Sequence, residues 1–209
     1  MGRKYGPAAG KVLVYYSGYN DGTYPTRKDG KITDEYTIWR GMLRRCYGDK
    51  GQPFDDAYTE CSVSDNFKLF TYFHEWCQDQ VGFGNRDHKG VMWNLDKDIL
   101  FEGGTKQYNE QHCIFIPQWL NATLINTKDR RGEFPVGVHY CNKRSKFIAQ
   151  INKRSRHTGL GAFSNQHDAF LAYKYAKETY LKEVAEQLYG TIDVRLFNRL
   201  YNYEVNICD

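Results

Sequence analysis

The chain has 209 residues and a formal net charge of +4 at pH 7, and 41% of its residues are hydrophobic and 16% aromatic. This composition excludes a disordered chain, and the length suits one domain or two small ones. No run of about 18 apolar residues occurs, so we predict neither a transmembrane span nor a membrane partner. The N-terminal sequence lacks an apolar signal core with a small-residue cleavage site, which predicts a cytoplasmic protein.

Six cysteines are scattered along the chain, and no two of them form a CxxC pair. This spacing signals neither a zinc ribbon nor a thioredoxin motif, and it predicts buried free thiols. A metal site assembled in space from Cys46, Cys61, Cys77 and a histidine remains the alternative.

Residues 1–90 are predicted to form an aromatic-rich N-terminal α+β region. Residues 11–33 have the composition of short strands and turns, and Asp34 then precedes an amphipathic helix as its N-cap. A second helix, capped near Ser64 or Asp65, carries a stripe of aromatic residues. Stripes of this kind predict core packing rather than a ligand site.

Residues 91–127 are predicted to form a strand, a Gly-Gly turn, a return strand and a short helix. "VMWNLDKDIL" is typical of the first strand, "YNEQHCIFIP" of the return strand, and the helix follows it. This apolar stretch also contains four polar side chains: Asp96, Asp98, His112 and Asn121. Each of them alone is more often a turn, cap or surface residue than a functional one.

Positive charge is concentrated between residues 128 and 156, which include nine Lys and Arg residues and only two acidic residues. Clusters of this kind, separated by predicted strands, indicate a surface that binds a polyanion. The first cluster lies in a predicted basic linker, residues 128–136.

Residues 137–190 are predicted to form three short antiparallel strands packed on one long helix, which is capped by Ser164 and ends at Gly190. The tail, residues 191–209, is predicted to add a short helix and the strand "YEVNI". In the middle strand, alternation divides the side chains between two faces. Phe147, Ala149 and Ile151 are predicted to face the helix, whereas Lys146, Ile148, Gln150 and Asn152 are predicted to face outward.

The segments "GVHYCNKRSKFIAQI" and "LGAFSNQHDAFLAYKYA" resemble an APETALA2-type (ethylene-response-factor-like) DNA-binding domain, in the divergent form found in phage endonucleases. The resemblance covers about residues 136–180 and implies a sheet that lies in the major groove of double-stranded DNA. By position, it places base contacts on His139, Cys141, Gln150, Asn152 and His157. It assigns backbone affinity to Lys143, Arg144, Lys146, Lys153, Arg154 and Arg156. The arginines and tryptophans of the plant domains are missing, so base preference does not transfer.

The apolar stretch "NLDKDILFEGGTKQYNEQHCIFIPQWLN" resembles the HNH motif of phage homing endonucleases in a degenerate form. The resemblance implies a ββα-metal module at residues 91–127 with Mg²⁺ (or Mn²⁺) as cofactor. It makes Asp96 and Asn121 metal ligands, puts Lys97 at the general-base position, and puts His112 at the position that orients the water.

Lys97 departs from the HNH pattern, because a lysine with a pKa of about 10.4 is protonated at neutral pH. Strong burial or a nearby metal would be needed to lower that pKa enough for a base. Three accounts follow: His112 acts as the base, Asp98 does so, or the site no longer cuts DNA. In the first two, Lys97 holds the scissile phosphate as a cation.

The sequence therefore predicts an α+β DNA-binding protein that combines an HNH-like module with an APETALA2-like domain. The leading function is that of a phage-type homing or nicking endonuclease, which hydrolyses DNA phosphodiester bonds with a divalent metal. The alternative is a catalytically inactive, sequence-specific DNA-binding protein that keeps the nuclease module as a scaffold. An RNA-binding or protein-interaction module is the third class considered.

Overall fold

The computed structural model describes residues 13–48, 53–101, 103–124, 133–154 and 156–207. The predicted α+β class is confirmed, since these ranges contain six α-helices and nine short strands. The chain divides into two compact units. Unit 1 comprises residues 1–86 and 93–115, and unit 2 comprises residues 87–92 and 116–209.

The helices are α1 (Asp34–Tyr47), α2 (Asp65–Lys68), α3 (Phe70–Gln78), α4 (Gln118–Leu124), α5 (Gln166–Gln187) and α6 (Val194–Tyr201). The strands are β1 (Arg27–Lys28), β2 (Lys31–Ile32), β3 (Ser62–Val63), β4 (Asn94–Asp96), β5 (Gln107–Tyr108), β6 (Ile114–Ile116), β7 (Val138–Cys141), β8 (Lys146–Lys153) and β9 (Arg156–Phe163). In the ranges described, no helix combines the length and the apolar character needed to cross a bilayer.

Helix α1 confirms the first predicted helix, but its N-cap is Thr33, whose hydroxyl accepts a hydrogen bond from the amide of Tyr36. Asp34, the predicted cap, is the first helical residue, where a carboxylate favours the positive end of the helix dipole. The inner face of α1 is fully buried, and the indole of Trp39 donates to the carbonyl of Phe67 over 2.7 Å. The aromatic stripes of this unit therefore form its core, as predicted.

The second predicted helix is interrupted between α2 and α3, where Leu69 has an extended backbone (φ −87°, ψ 119°). Its N-cap is Ser64, as predicted. The interruption has a tertiary cause, because Tyr19 runs parallel to Leu69 and bonds the backbone on both sides of it. The Tyr19 amide donates to the Lys68 carbonyl over 2.8 Å, and the Phe70 amide donates to the Tyr19 carbonyl over 2.9 Å.

Strands β1 and β2 form a hairpin around Asp29 and Gly30, whose φ angles of 51° and 74° match the tight turn favoured by twisted strands. In this hairpin Lys28 lies directly opposite Lys31. All four strand residues are exposed.

The predicted return strand "YNEQHCIFIP" is divided between two sheets. Strand β5 pairs in parallel with β3, whereas β6 pairs with β4. A turn separates them, because the Asn109 side-chain oxygen accepts hydrogen bonds from the amides of Gln111 and His112. An asparagine that binds the backbone two residues ahead favours a turn over a continuous strand.

Unit 2 contains the predicted three-stranded antiparallel sheet, in the order β7-β8-β9, with α5 packed on one face. Ala149 and Ile151 are buried beneath the helix, as the alternation predicts. Gly137 leads into β7 with φ +74°, and a Cβ atom there would overlap the ring of Tyr173 on α5. Glycine is therefore required where the chain enters the sheet.

The ends of α5 and the tail differ in detail from the prediction. Asn165, not Ser164, caps α5 by accepting a hydrogen bond from the amide of Asp168. The tail forms α6, as predicted, but "YEVNI" is not a strand in residues 203–207. The backbone of Val205 is bound instead by two side chains of α5, because its amide donates to Glu178 and its carbonyl accepts from Lys174.

The five cysteines in the described ranges are free thiols, and four of them are buried, as predicted. Burial raises the pKa of Cys46 to about 12, which keeps the thiol protonated and inert. Among the described residues, Cys46, Cys61 and Cys77 form no group with a histidine that could hold a metal ion, so the alternative metal site is not supported. Cys208 lies outside the described residues.

Candidate nucleic-acid interface and candidate metal centre

The pairing of β7 with β8 determines which side chains share the open face of the sheet, the face away from α5. His139 lies opposite Ile148, and Cys141 lies opposite Lys146. Residues directly opposite each other in an antiparallel pair project to the same side. Because Ala149 is buried against α5, its neighbours Ile148 and Gln150 face outward, and His139 and Cys141 share that open face.

The pairing of β8 with β9 extends the same face, across a bulge between Ala149 and Gln150. Asn152 lies opposite His157, and Gln150 lies opposite Gly159. All five residues predicted as base contacts therefore lie on the open face: His139, Cys141, Gln150, Asn152 and His157. Cys141 is half-buried and the other four are exposed. None of those four side chains bonds another residue in the described part of the chain.

The basic residues predicted to contact phosphate fall into two groups. Lys143 and Arg144 are exposed in the β7–β8 turn, and Arg156 is exposed at the start of β9. Lys146 lies at the edge of the open face, where its ammonium donates to the Ser164 hydroxyl over 2.8 Å. These four cations are accessible to a polyanion.

Lys153 and Arg154 form the second group, and both contact aromatic rings inside unit 2. Lys153 follows Ile151 by two residues, so it faces α5, and its ammonium lies 5.0 Å from the ring centre of Tyr180. The guanidinium of Arg154 lies 4.4 Å from the ring centre of Trp119 on α4. Cation–π contacts of this kind stabilise the fold by about 0.5–1 kcal/mol each at exposed sites.

Asp96, at the end of β4, is a buried carboxylate that caps the following turn. Its Oδ1 atom accepts hydrogen bonds from the amides of Asp98 and Ile99, both over 2.9 Å. Burial raises the pKa of this carboxyl group, and the two amides oppose that rise. Within the described residues Oδ2 accepts no hydrogen bond, so the turn uses only one of the two carboxylate oxygens.

Lys97 is a buried cation with only 4% of its surface exposed. Its ammonium binds both carboxylate oxygens of Asp98, at 2.6 and 2.8 Å, and lies 5.6 and 5.4 Å from the ring centres of Tyr58 and Tyr108. Burial lowers the pKa of this amine, but the Asp98 carboxylate and the neighbouring Cys61 thiol together raise it, so the net shift is upward. The condition for Lys97 to act as a base, a lowered pKa, is not met.

Asp98 and His112 are both held by local partners. Asp98 is half-exposed, but both of its oxygens bind Lys97. His112 lies in the turn after β5, not in a strand, and its Nδ1 atom lies 3.3 Å from the side-chain nitrogen of Asn109. Its ring also contacts Phe101 edge-on, with 5.6 Å between ring centres.

Asn121 lies on α4, which belongs to unit 2, whereas Asp96, Lys97, Asp98 and His112 belong to unit 1. The predicted module thus spans the division between the units, and neither unit alone contains both predicted metal ligands. Within unit 2, α4 is tied to the sheet and α5: Arg154 packs on Trp119, and the buried ammonium of Lys177 donates to the Thr123 carbonyl.

The donor set around Asp96 fits the divalent ion implied by the HNH resemblance poorly. In the described ranges no group of three or more His, Cys, Asp or Glu side chains is placed to hold a metal. Asp98 is occupied by Lys97, and the Lys97 ammonium would repel a divalent cation bound at Asp96. Oδ2 of Asp96 is the one ligand atom that the β4 turn leaves available in these ranges.

The sequence did not point to the aromatic enclosure of Lys97 or to the role of Lys177. Tyr108 lies on β5, and Tyr58 lies in a short 3-10 helix (Asp56–Tyr58) before β3, the strand that pairs with β5. Arg45 donates to the Tyr108 hydroxyl over 2.9 Å. A parallel pair of two-residue strands leaves no readable signal in the sequence. In the sequence, Lys177 stands four residues after Tyr173 and three before Tyr180, on the buried face of α5, and this helical spacing was its only sign of burial.

Neither a protein-family model, nor a curated protein, nor a solved structure matches this chain. The resemblances to HNH and APETALA2-type modules therefore rest on the motifs quoted above.

Proposed function

We propose that this protein binds double-stranded DNA through the open face of the β7–β9 sheet. The observation that carries the proposal is the shared orientation of His139, Gln150, Asn152 and His157, which are exposed on one face and unengaged by other described residues. Amide and imidazole groups of this kind bond the edges of bases, and Gln and Asn suit adenine in particular.

The dimensions of the sheet support the major groove as the contact surface. Three strands span two interstrand spacings, which is about 10 Å, and the major groove of B-DNA is about 12 Å wide. Ile148 and Ala162, which are paired on the same face, offer apolar contacts suited to a thymine methyl group. The exposed cations Lys143 and Arg144 lie in the turn at one end of these strands and suit a flanking phosphate. Arg156 is exposed but lies opposite Lys153, so it projects to the helix side of the sheet.

Gly159 provides a direct test of this proposal, since it lies on the open face and a Cβ atom there would meet no described atom within 4 Å. A Gly159→Phe variant is therefore expected to fold normally while its ring obstructs the approach of a base pair. Affinity for a 30-bp duplex, measured by fluorescence anisotropy, is expected to fall at least tenfold. The control is Gln187→Phe, which adds the same ring at an exposed position near the end of α5.

Equal affinities of the two variants for DNA would contradict binding through the open face. Competition with an RNA duplex distinguishes a DNA-binding protein from an RNA-binding module, because the major groove of A-form RNA is too narrow for a sheet. Binding that RNA displaces as well as DNA would favour an RNA-binding module.

A divalent-metal-dependent DNA endonuclease is the second candidate, and two observations favour it. Strands β4 and β6 pair and are followed in the chain by α4, the element order of a ββα module. The buried Asp96 also keeps Oδ2 free of hydrogen bonds in the described ranges. The poor donor set places this candidate second.

A nicking assay on supercoiled plasmid with Mg²⁺, Mn²⁺ or EDTA tests the second candidate. The Asp96→Asn variant keeps the oxygen that caps the turn and removes the charge, and Asn121→Ala removes the other predicted ligand. Metal-dependent nicking lost in both variants would establish an endonuclease. DNA binding without nicking would favour the alternative function, that of a non-catalytic DNA-binding protein in which the β4 turn is a scaffold.

A further inference from the structure

The β1–β2 hairpin of unit 1 is a basic ribbon with no part in the function proposed for unit 2. Arg27, Lys28 and Lys31 are all exposed on it. The guanidinium of Arg27 donates to the Gly30 carbonyl over 3.0 Å, which holds this cation along the turn. Three cations are thus presented on six residues that reverse direction tightly.

The arrangement of the two lysines is unfavourable for the isolated hairpin. Lys28 and Lys31 lie directly opposite each other, and like charges at such positions destabilise a strand pair. Neither ammonium takes part in an ion pair within the described residues. The hairpin also buries neither of its two strands, although an isolated pair of strands is only marginally stable in water.

An anionic partner would remove this repulsion, and duplex DNA supplies one negative charge per about 1.7 Å of helix axis. Opposed Cβ atoms in a strand pair lie about 5 Å apart, so flexible ammonium groups on both strands can reach neighbouring phosphates. The hairpin carries no exposed amide or aromatic side chain suited to reading a base edge. Its chemistry therefore suits phosphate contacts that are independent of sequence.

We propose that the β1–β2 hairpin is a second DNA contact, which binds the phosphate backbone of the duplex that the β7–β9 sheet reads. This inference rests on the proposed DNA-binding function. The hairpin adds affinity and salt dependence, whereas the sheet supplies base recognition.

A Lys28→Glu substitution separates binding from folding, because it converts the opposed lysines into an ion pair. Thermal stability is expected to stay equal or rise, while affinity for duplex DNA at 0.1 M salt falls at least eightfold, the loss of about one phosphate contact. Lys106→Glu is the control, since Lys106 is an exposed lysine of the same unit and the change in net charge is identical. An equal loss of affinity in both variants would reduce the effect to net charge and overturn the inference.

The salt dependence of binding gives the second measurement. Neutralising Arg27, Lys28 and Lys31 together with glutamine is expected to lower the slope of log K against log[salt] by about 2.7, or about 0.9 per contact. If the parent binds DNA and the triple variant keeps the parent slope, the hairpin is not a phosphate contact. If the parent binds no DNA, the proposed function itself fails, and this inference fails with it.

Discussion

The open face of the β7–β9 sheet and the turn after β4 both concentrate polar side chains, but they differ in what those side chains contact. On the sheet, Gln150 and Asn152 project into solvent without a partner among the described residues. At the β4 turn, Asp96 caps backbone amides, and Lys97 is bound by Asp98 and two tyrosine rings. Polar groups satisfied within the protein stabilise the fold, whereas unengaged groups on one face are available to a ligand.

Lys177 gives the largest expected effect and sharpens the comparison, because it is a buried cation with no carboxylate partner among the described residues. Burial lowers its pKa from 10.5 to about 8, so the folded state binds fewer protons than the unfolded state between these values. The contribution of Lys177 to stability, measured as the difference between the parent and Lys177→Met, should therefore rise with pH across this window, by about 3 kcal/mol in total. Lys177→Met should lack this rise in urea unfolding experiments at pH 7, 9 and 10.5.

Lys182→Met is the control for that experiment, since Lys182 is an exposed lysine on the same helix. A parent protein whose stability relative to Lys177→Met does not change between pH 7 and 10.5 would show that Lys177 is not a buried cation.

Removing the partner of Lys97 is expected to have the next largest effect. Asp98→Asn leaves the buried ammonium without its counter-charge and should lower the free energy of unfolding by about 2 kcal/mol. This is below the 3–5 kcal/mol typical of fully buried pairs, because Asp98 is half-exposed. Asp65→Asn breaks the exposed Lys68–Asp65 pair and should cost about 0.5 kcal/mol or less.

DNA affinity gives a second readout of the same variant. If the β4 turn is a scaffold, Asp98→Asn leaves DNA affinity unchanged at a temperature where the variant is folded. A loss of affinity as large as that of Gly159→Phe would mean that the turn contacts DNA.

Replacing Asp96 should have a smaller, pH-dependent effect on the free energy of unfolding. Because burial raises its pKa, the folded state holds a proton that the unfolded state releases, so this carboxyl group makes the fold less stable as pH rises from 3.8. Asp96→Asn keeps the turn cap, and it should gain stability relative to the parent between pH 4 and 7. Stabilisation of the parent, but not of Asp96→Asn, by millimolar Mg²⁺ would instead favour the metal site.

The smallest effect is expected where basic residues are already engaged. Lys153→Gln with Arg154→Gln should change the slope of log K against log[salt] for DNA binding by less than about 0.5. The reason is that both cations lie against aromatic rings. Lys143→Gln with Arg144→Gln, the matched pair in the exposed turn, should lower the slope by about 1.8. Equal slopes for the two double variants would remove the distinction between the two groups of cations.

The sequence was most informative where one local pattern determines the structure. Alternation in β8 correctly divided Ala149 and Ile151 from Gln150 and Asn152, and the long helix α5 was also predicted. The same alternation also places Lys153 on the helix face, although charge alone suggested a phosphate contact. Features that depend on distant segments were not predictable. One example is the interruption between α2 and α3, which is caused by the pairing of Leu69 with Tyr19.

The candidate metal centre was harder to predict for the same reason. The sequence shows that Lys97 stands between two aspartates, but not that the rings of Tyr58 and Tyr108, which are far apart in the chain, lie close to its ammonium. That enclosure, together with Asp98, decides whether the lysine is a buried cation or a base.

Selection of bound sites from a pool of random duplexes tests the central claim most directly. The parent and Asp98→Asn should enrich the same short sequence motif. Gln150→Ala with Asn152→Ala should lose that motif, at a cost of about 10- to 100-fold in discrimination, while keeping salt-dependent binding. An unchanged motif from the Gln150/Asn152 variant would contradict base recognition by the open face of the sheet.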